Sequence, residues 1–178
     1  SRGESPLKSL LAPLALAALL APLPAAAQAK PAVDYTDMWW NPAESGWGIS
    51  IRQKLPAGGT VDALFAVWYT YDPRAVDPAS PGGTGQVPLW LVMPGGHWDT
   101  PTTYSGLIHV LTATPYALPW NAAARNMQPV GSFRFEFSDA GHGTFTYAID
   151  PPAGLPATNP AFGLPALSGT KSIVRQGF

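Results

Sequence analysis

"GSFRFEFSDAGHGTFTYAID", Gly131 to Asp150, decides the fold class. Phe133, Phe135 and Phe137 alternate with Ser132, Arg134, Glu136 and Ser138, and Phe145, Tyr147 and Ile149 alternate with Thr144, Thr146 and Ala148. A period of two places the large apolar side chains of each run on one side of an extended chain, the pattern of a half-buried strand. Between the runs, "SDAGHG" supplies Asp139 and two glycines, which favour tight turns. The segment therefore reads as an antiparallel hairpin with one wet and one dry face.

Working outward, the same period recurs, as where Trp47, Ile49 and Ile51 alternate with Gly48, Ser50 and Arg52. Strands are predicted over 36–40, 47–53, 61–71, 87–93, 103–112, 130–138, 143–149 and 168–176. The separators "NPAESG", "LPAGG", "PGGHWDTP", "ATPYALPWNAAARNMQP" and the long 73–86 and 151–167 segments are rich in proline and glycine. No crossover is long and helical enough to join parallel strands, so the chain predicts an all-β, antiparallel, eight-stranded meander. Closing the meander into a barrel of avidin- or lipocalin-like architecture removes its edges, and a two-sheet sandwich is the competing arrangement.

Two runs have no wet face. "ALFAVWYTY" carries Leu64, Ala66 and Trp68 on one side and Phe65, Val67, Tyr69 and Tyr71 on the other, and "PLWLVM" is apolar throughout. The outer sides of these strands need cover, from the Pro-rich loops, a second subunit or a ligand. Phe65, Val67, Tyr69, Tyr71 and Trp90 are the candidate interface residues.

The first segment has a different design. Arg2 and Lys8 precede the uncharged run "SLLAPLALAALLAPLP", and "AAAQA" ends in small residues at Ala29, the layout of a secretory signal peptide over 1–29. Prolines 13, 22 and 24 interrupt the run, which is too broken for a transmembrane helix. Residues 30–178 then form a single domain with its own core. The expected location is the periplasm or the medium of a bacterial cell.

Only 12% of the 178 residues are charged, and the formal net charge is −1. Without a basic patch, a nucleic-acid partner is disfavoured. There is no cysteine, which removes disulfides, thiolate metal sites and cysteine nucleophiles together. His97, His109 and His142 have no paired spacing, and none of the familiar catalytic motifs occurs. Glu44 and Asp72 are the only carboxylates near the aromatic cluster that could act as a glycosidase pair. The expectation is a noncatalytic chain with no cofactor and no metal.

"MWWNPAESGWG", Met38 to Gly48, is the richest stretch. Trp39 and Trp40 face opposite sides of a strand, so at most one shares the core with Trp47. Glu44 either accepts from the amides of Gly46 and Trp47 in a structural corner, or pairs with an exposed tryptophan to grip a polar ring. Trp98 and Trp120 fall in predicted loops, where an aromatic has no evident core role. Trp39, Trp40, Glu44, Trp98 and Trp120 are thus the candidate ligand contacts.

"WWNPAESGWGISI", "PLWLVMPG", "YSGLI", "FRFEFSDAGHGTFTYAID" and "GTKSIVRQ" resemble a group of exported bacterial β-domains with a WWNPxESGWG opening, a PLWLV strand, a YSG step, a GTFTY hairpin and a KxIxRQ ending. The matches run in order across 30–178. The resemblance implies export and an all-β domain and brings no activity with it. This chain departs from the pattern in its longer 73–86 and 151–167 loops. A looser similarity to avidin-like barrels, in an aromatic pair followed by Asn, concerns architecture only.

Together these readings predict an exported binding or interaction module with a carbohydrate or other envelope component as partner. The alternatives are a structural protein self-associating as a homo-oligomer through its apolar strands, a carrier of small apolar molecules, and an outer-membrane barrel.

Overall fold

The computed structural model describes residues 29–75 and 87–177. The expected signal peptide, up to residue 28, and most of the 73–86 loop lie outside the described residues.

The strands are β1 (Asp37–Trp40), β2 (Gly48–Lys54), β3 (Ala63–Tyr71), β4 (Pro88–Met93), β5 (Gly96–Thr100), β6 (Thr103–Thr112), β7 (Asn126–Phe137), β8 (His142–Ile149) and β9 (Leu167–Arg175). Each is antiparallel to its neighbours, and pairing of β4 with β6 closes eight of them into a circuit from which β5 is left out. The fold is a meander barrel and not a sandwich. Closure gives each of the eight strands a neighbour on both sides, although β9 meets β1 only at Arg175 and Val174.

β5 stands where "PGGHWDTP", with its proline and glycines, predicts a loop. It pairs with β6 alone, and takes up that strand where β4 leaves it. Leu91 faces Val110 and Gly96 faces Gly106, so the frame slips by one residue across Pro94 and Gly95, as at a bulge. A side chain at Gly96 would collide with the carbonyl of Ser105, so glycine is required where the two backbones converge. The slip leaves Trp98 pointing into the barrel.

β7 also begins earlier than expected, at Asn126 instead of Val130. Its pairing with β6 shifts between Ile108 and His109, where Pro129 stands opposite. Proline has no N–H to give the ladder, and a register break is where a strand can hold one.

Inside, the predicted alternation holds. Phe133, Phe135, Phe137, Phe145, Tyr147 and Ile149 are buried, as are Leu64, Ala66 and Trp68 on β3 and Leu89, Leu91 and Met93 on β4. The two ends of the barrel are closed differently. At one end Tyr35 stacks on Phe137 with ring centres 3.8 Å apart, beside Trp39 and Trp98. Here Gln53 ties the chain together, accepting from the Tyr35 amide at 3.0 Å and donating to Asp62 at 3.1 Å.

The other end is covered by the segment between β8 and β9. Ala161 and Leu164 of this lid are buried against the barrel core. Consecutive turns carry it: the amide of Asn159 donates to Pro156, Phe162 to Asn159 and Leu164 to Ala161. Arg74, in a short 3₁₀ turn after β3, anchors it by donating to the carbonyls of Pro160 at 2.9 Å and Phe162 at 2.8 Å. Arg74 is in turn held by both oxygens of Asp72. That pairing, ahead of the opposing effect of burial, keeps the Asp72 carboxyl below the usual range.

Candidate functional site

The five ligand contacts expected from the sequence do not converge. Trp39 is fully buried at the closed end, where its indole donates to the Tyr35 carbonyl at 3.0 Å. Trp98 is 2% exposed, and its indole donates to the Asp62 carbonyl at 2.8 Å. Both are core residues, and neither presents a ring to a ligand. Trp98 departs from the expectation of a loop aromatic because its segment is a strand, and it is the inward residue of β5.

Trp120 is 69% exposed in the β6–β7 loop, with Tyr116 and Leu118 also exposed nearby. That loop is pinned by Thr114, whose hydroxyl accepts from the Asn121 amide at 2.8 Å and donates to its carbonyl at 3.0 Å. Trp40 is half-buried on the outer side of β1, as expected for the ring opposite Trp39. It borders a groove of about 290 Å³ with Gly48, Tyr69 and Gln176.

Glu44 takes neither of its expected roles in full. Its amide partner is the Asn41 carbonyl, and its carboxylate accepts from the Trp47 indole at 3.0 Å and from Lys171 Nζ at 2.5 Å. The lysine, followed by the indole, holds the Glu44 carboxyl below its ordinary value. Trp47, expected in the core beside Ile49, is instead half-buried at the rim, with the Lys171 ammonium 4.9 Å from its ring centre. The reason lies in β1, which stops at Trp40 and leaves a gap beside β9 that Lys171 spans.

Behind this rim is a cavity assembled from residues far apart in the chain. It measures about 200 Å³ beneath the lid. Trp68, Leu89, Leu91, Tyr147 and Ile149 form its barrel walls, Leu164 and Pro165 its roof, and Trp47, Tyr71 and Lys171 its edge. The Tyr147 ring fits because β9 carries Gly169 opposite: a Cβ there would lie 2.7 Å from the tyrosine hydroxyl.

The expected interface residues do come together. Tyr69 pairs with Trp90 across β3 and β4, their rings edge to face at 6.0 Å. Phe65, Tyr71 and Trp90 are exposed and Val67 is half-buried on this same outer side. Leu111 and Met127, paired across β6 and β7, extend the exposed apolar row one step beyond the Leu91–Val110 pair.

A third surface mixes apolar and polar groups, with Pro94, Leu107 and Phe133 among its lining residues. On the outer side of β5 to β8 a broad concavity of about 720 Å³ is bordered by His97, Ser105, His109, Arg134 and Thr146. Asp99 lies between two of these groups, accepting from the Ser105 hydroxyl at 2.6 Å and sitting 2.9 Å from His97 Nε2. The serine bond, more than the nearby His97 and Arg134, lowers the Asp99 carboxyl. Because the carboxylate stands between serine and histidine, no imidazole is placed to take the serine proton. Among the described residues no group of three or more His, Asp or Glu converges as a metal site, and no helix is long and apolar enough to cross a membrane. Comparison with family models, curated proteins and solved structures gives no match to this chain.

Proposed function

We propose that the chain is a noncatalytic interaction module of the bacterial envelope or extracellular space that associates through the outer apolar face of β3 and β4. The observation that carries this reading is the Tyr69–Trp90 pair, 38% and 64% exposed, at the centre of a row of outward apolar side chains. Aromatic residues in such a patch are the usual anchors of protein interfaces. Their removal from water is worth about 25 cal/mol per Å², so a closed partner surface gains from covering them. The export half of the proposal rests on the pattern of residues 1–29.

The partner chosen for the test is a second copy of the chain, which can meet the same patch about a two-fold axis. Sedimentation velocity over a concentration series is expected to show a reversible dimer. Trp90→Glu should abolish it while the melting temperature stays nearly constant, since the side chain points away from the core. A chain that sediments as a monomer at every concentration overturns self-association.

A second reading has its own observation. Gly48 pairs with Tyr69 and bares the groove between that ring and Trp40, and paired tryptophan and tyrosine rings stack on sugars. Glycan binding by the wild type that Trp40→Ala removes, with the dimer unaffected or absent, would favour a carbohydrate partner.

A further inference from the structure

We infer that the lidded cavity at the barrel mouth is a binding site for a small, uncharged, largely apolar molecule that carries one hydrogen-bond acceptor.

Three indoles differ in how their N–H groups are met. Trp39, Trp68 and Trp98 are all buried, and a buried N–H is expected to have an acceptor. Trp39 has the carbonyl of Tyr35 and Trp98 that of Asp62, each within 3.0 Å. Trp68, only 6% exposed, has no protein acceptor for its Nε1. It is also the one of the three that lines the mouth cavity. The unpaired donor therefore belongs to a side chain that lines the cavity. Leaving such a group unpaired is unfavourable, and an acceptor delivered by a ligand removes the penalty.

The walls set the rest of the ligand. Phe145 meets the Trp68 ring edge on at 5.0 Å and Tyr147 lies 4.7 Å from it, so the indole is held in place by its neighbours. Leu89, Leu91, Ile149 and Leu164 supply apolar contact on the remaining sides. A cavity of about 200 Å³ suits a single ring with a short substituent, since apolar cavities of roughly 150 Å³ accept benzene.

Charge is excluded by the rim. Among the described residues Lys171 is the only ionic group lining the cavity, and Glu44 already neutralises it at 2.5 Å. An anionic ligand would meet this neutral pair with no free cation to offset its loss of water, and a cationic one would meet no free anion. A neutral carbonyl, ether or phenol oxygen suffers neither penalty. The lid that roofs the site with Leu164 and Pro165 is the one anchored by Arg74.

The test uses three probes of similar shape on the purified protein: acetophenone, which has an acceptor; ethylbenzene, which has none; and benzoate, which is charged. Acetophenone is expected to bind saturably and to move the Trp68 indole resonance in the ¹⁵N–¹H spectrum. It should bind about five- to tenfold more tightly than ethylbenzene, the usual worth of one net hydrogen bond. Benzoate should bind most weakly. Trp68→Phe keeps an aromatic wall but has no N–H, and should bring acetophenone and ethylbenzene to equal affinity. Leu164→Trp, at the roof, should fill the space and abolish binding of both, which keeps the test valid should Trp68→Phe fail to fold. No saturable binding of acetophenone overturns the inference. So does equal affinity for acetophenone and ethylbenzene in the wild type, or a preference that survives Trp68→Phe.

Discussion

Lys171 and Glu44, 127 residues apart in the chain, meet at 2.5 Å across the mouth of the barrel, and the same ammonium lies 4.9 Å from the centre of the Trp47 ring. The lysine rises from the inner side of β9, where its partner on β8 is the buried Phe145. Its stem thus follows apolar wall while its head reaches the rim, as long basic side chains do. The contact joins the N-terminal aromatic corner to the last strand. Because Glu44 is exposed, the pair is screened, and its value is positional more than energetic. Lys171→Met is expected to change the melting temperature little but to shift the Trp47 indole resonance. A large loss of stability would show that the pair holds the barrel closed.

Trp98 and Trp120 should respond in opposite ways to truncation. Trp98→Ala opens a void beside Tyr35 and Tyr104 and leaves the Asp62 carbonyl without its donor, so it should cost about 3–5 kcal/mol. Trp120→Ala, in an exposed loop, should fall within roughly 0.5 kcal/mol of wild type. Chemical denaturation of both variants checks this, and similar losses would mean that β5 does not turn Trp98 inward.

On β7, Phe135 is fully buried among Phe133, Phe137 and Phe145, whereas Arg134 is exposed beside Glu136. Phe135→Ala is expected to destabilise by about 3–5 kcal/mol and Arg134→Ala by less than about 1 kcal/mol. Equal losses in equilibrium unfolding would contradict the assigned faces.

Gly131 admits no side chain, because a Cβ there would strike the carbonyl oxygen of Ala148 on the paired strand. Gly131→Ala must push β7 away from β8 just where β7 recovers its register with β6 after the shift. The variant should unfold at markedly lower denaturant concentration than wild type, by more than the roughly 1 kcal/mol typical of a point change. A variant as stable as wild type would show that the strands are further apart.

Acid should loosen the lid before the barrel. The folded Asp72 carboxyl lies below its ordinary value of 3.8, chiefly through its bonds from Arg74. A carboxylate depressed in this way contributes its stability in full above the unfolded value, and loses it as the pH falls through the lower folded value. Exchange of the Leu164 amide, bonded within the lid, should therefore quicken as the pH is taken below 3.8, after correction for intrinsic rates. Asp72→Asn should produce about tenfold faster exchange there at neutral pH, one step of about 1.4 kcal/mol. Unchanged protection would mean that Arg74 holds the lid without Asp72.

The all-β class, the antiparallel order and most of the faces are legible in the sequence, because a period of two is local and each strand carries it within a few residues. Phe133 to Phe137 and Leu64 to Trp68 point inward for that reason, and the outward set Phe65, Val67, Tyr69 and Tyr71 follows with them. Proline and glycine, read locally, misled at 94–96, where they mark a slip between two backbones and not a turn. The sites were decided only by the closed barrel. Trp68 and Leu164, Arg74 and Phe162, and Glu44 and Lys171 each stand far apart in sequence. No local pattern records that a lid will cross the mouth, that the Asp62 carbonyl will reach the Trp98 indole, or that no carbonyl will reach that of Trp68. Those outcomes depend on which distant backbones the closure of β4 onto β6 brings within a hydrogen bond's length.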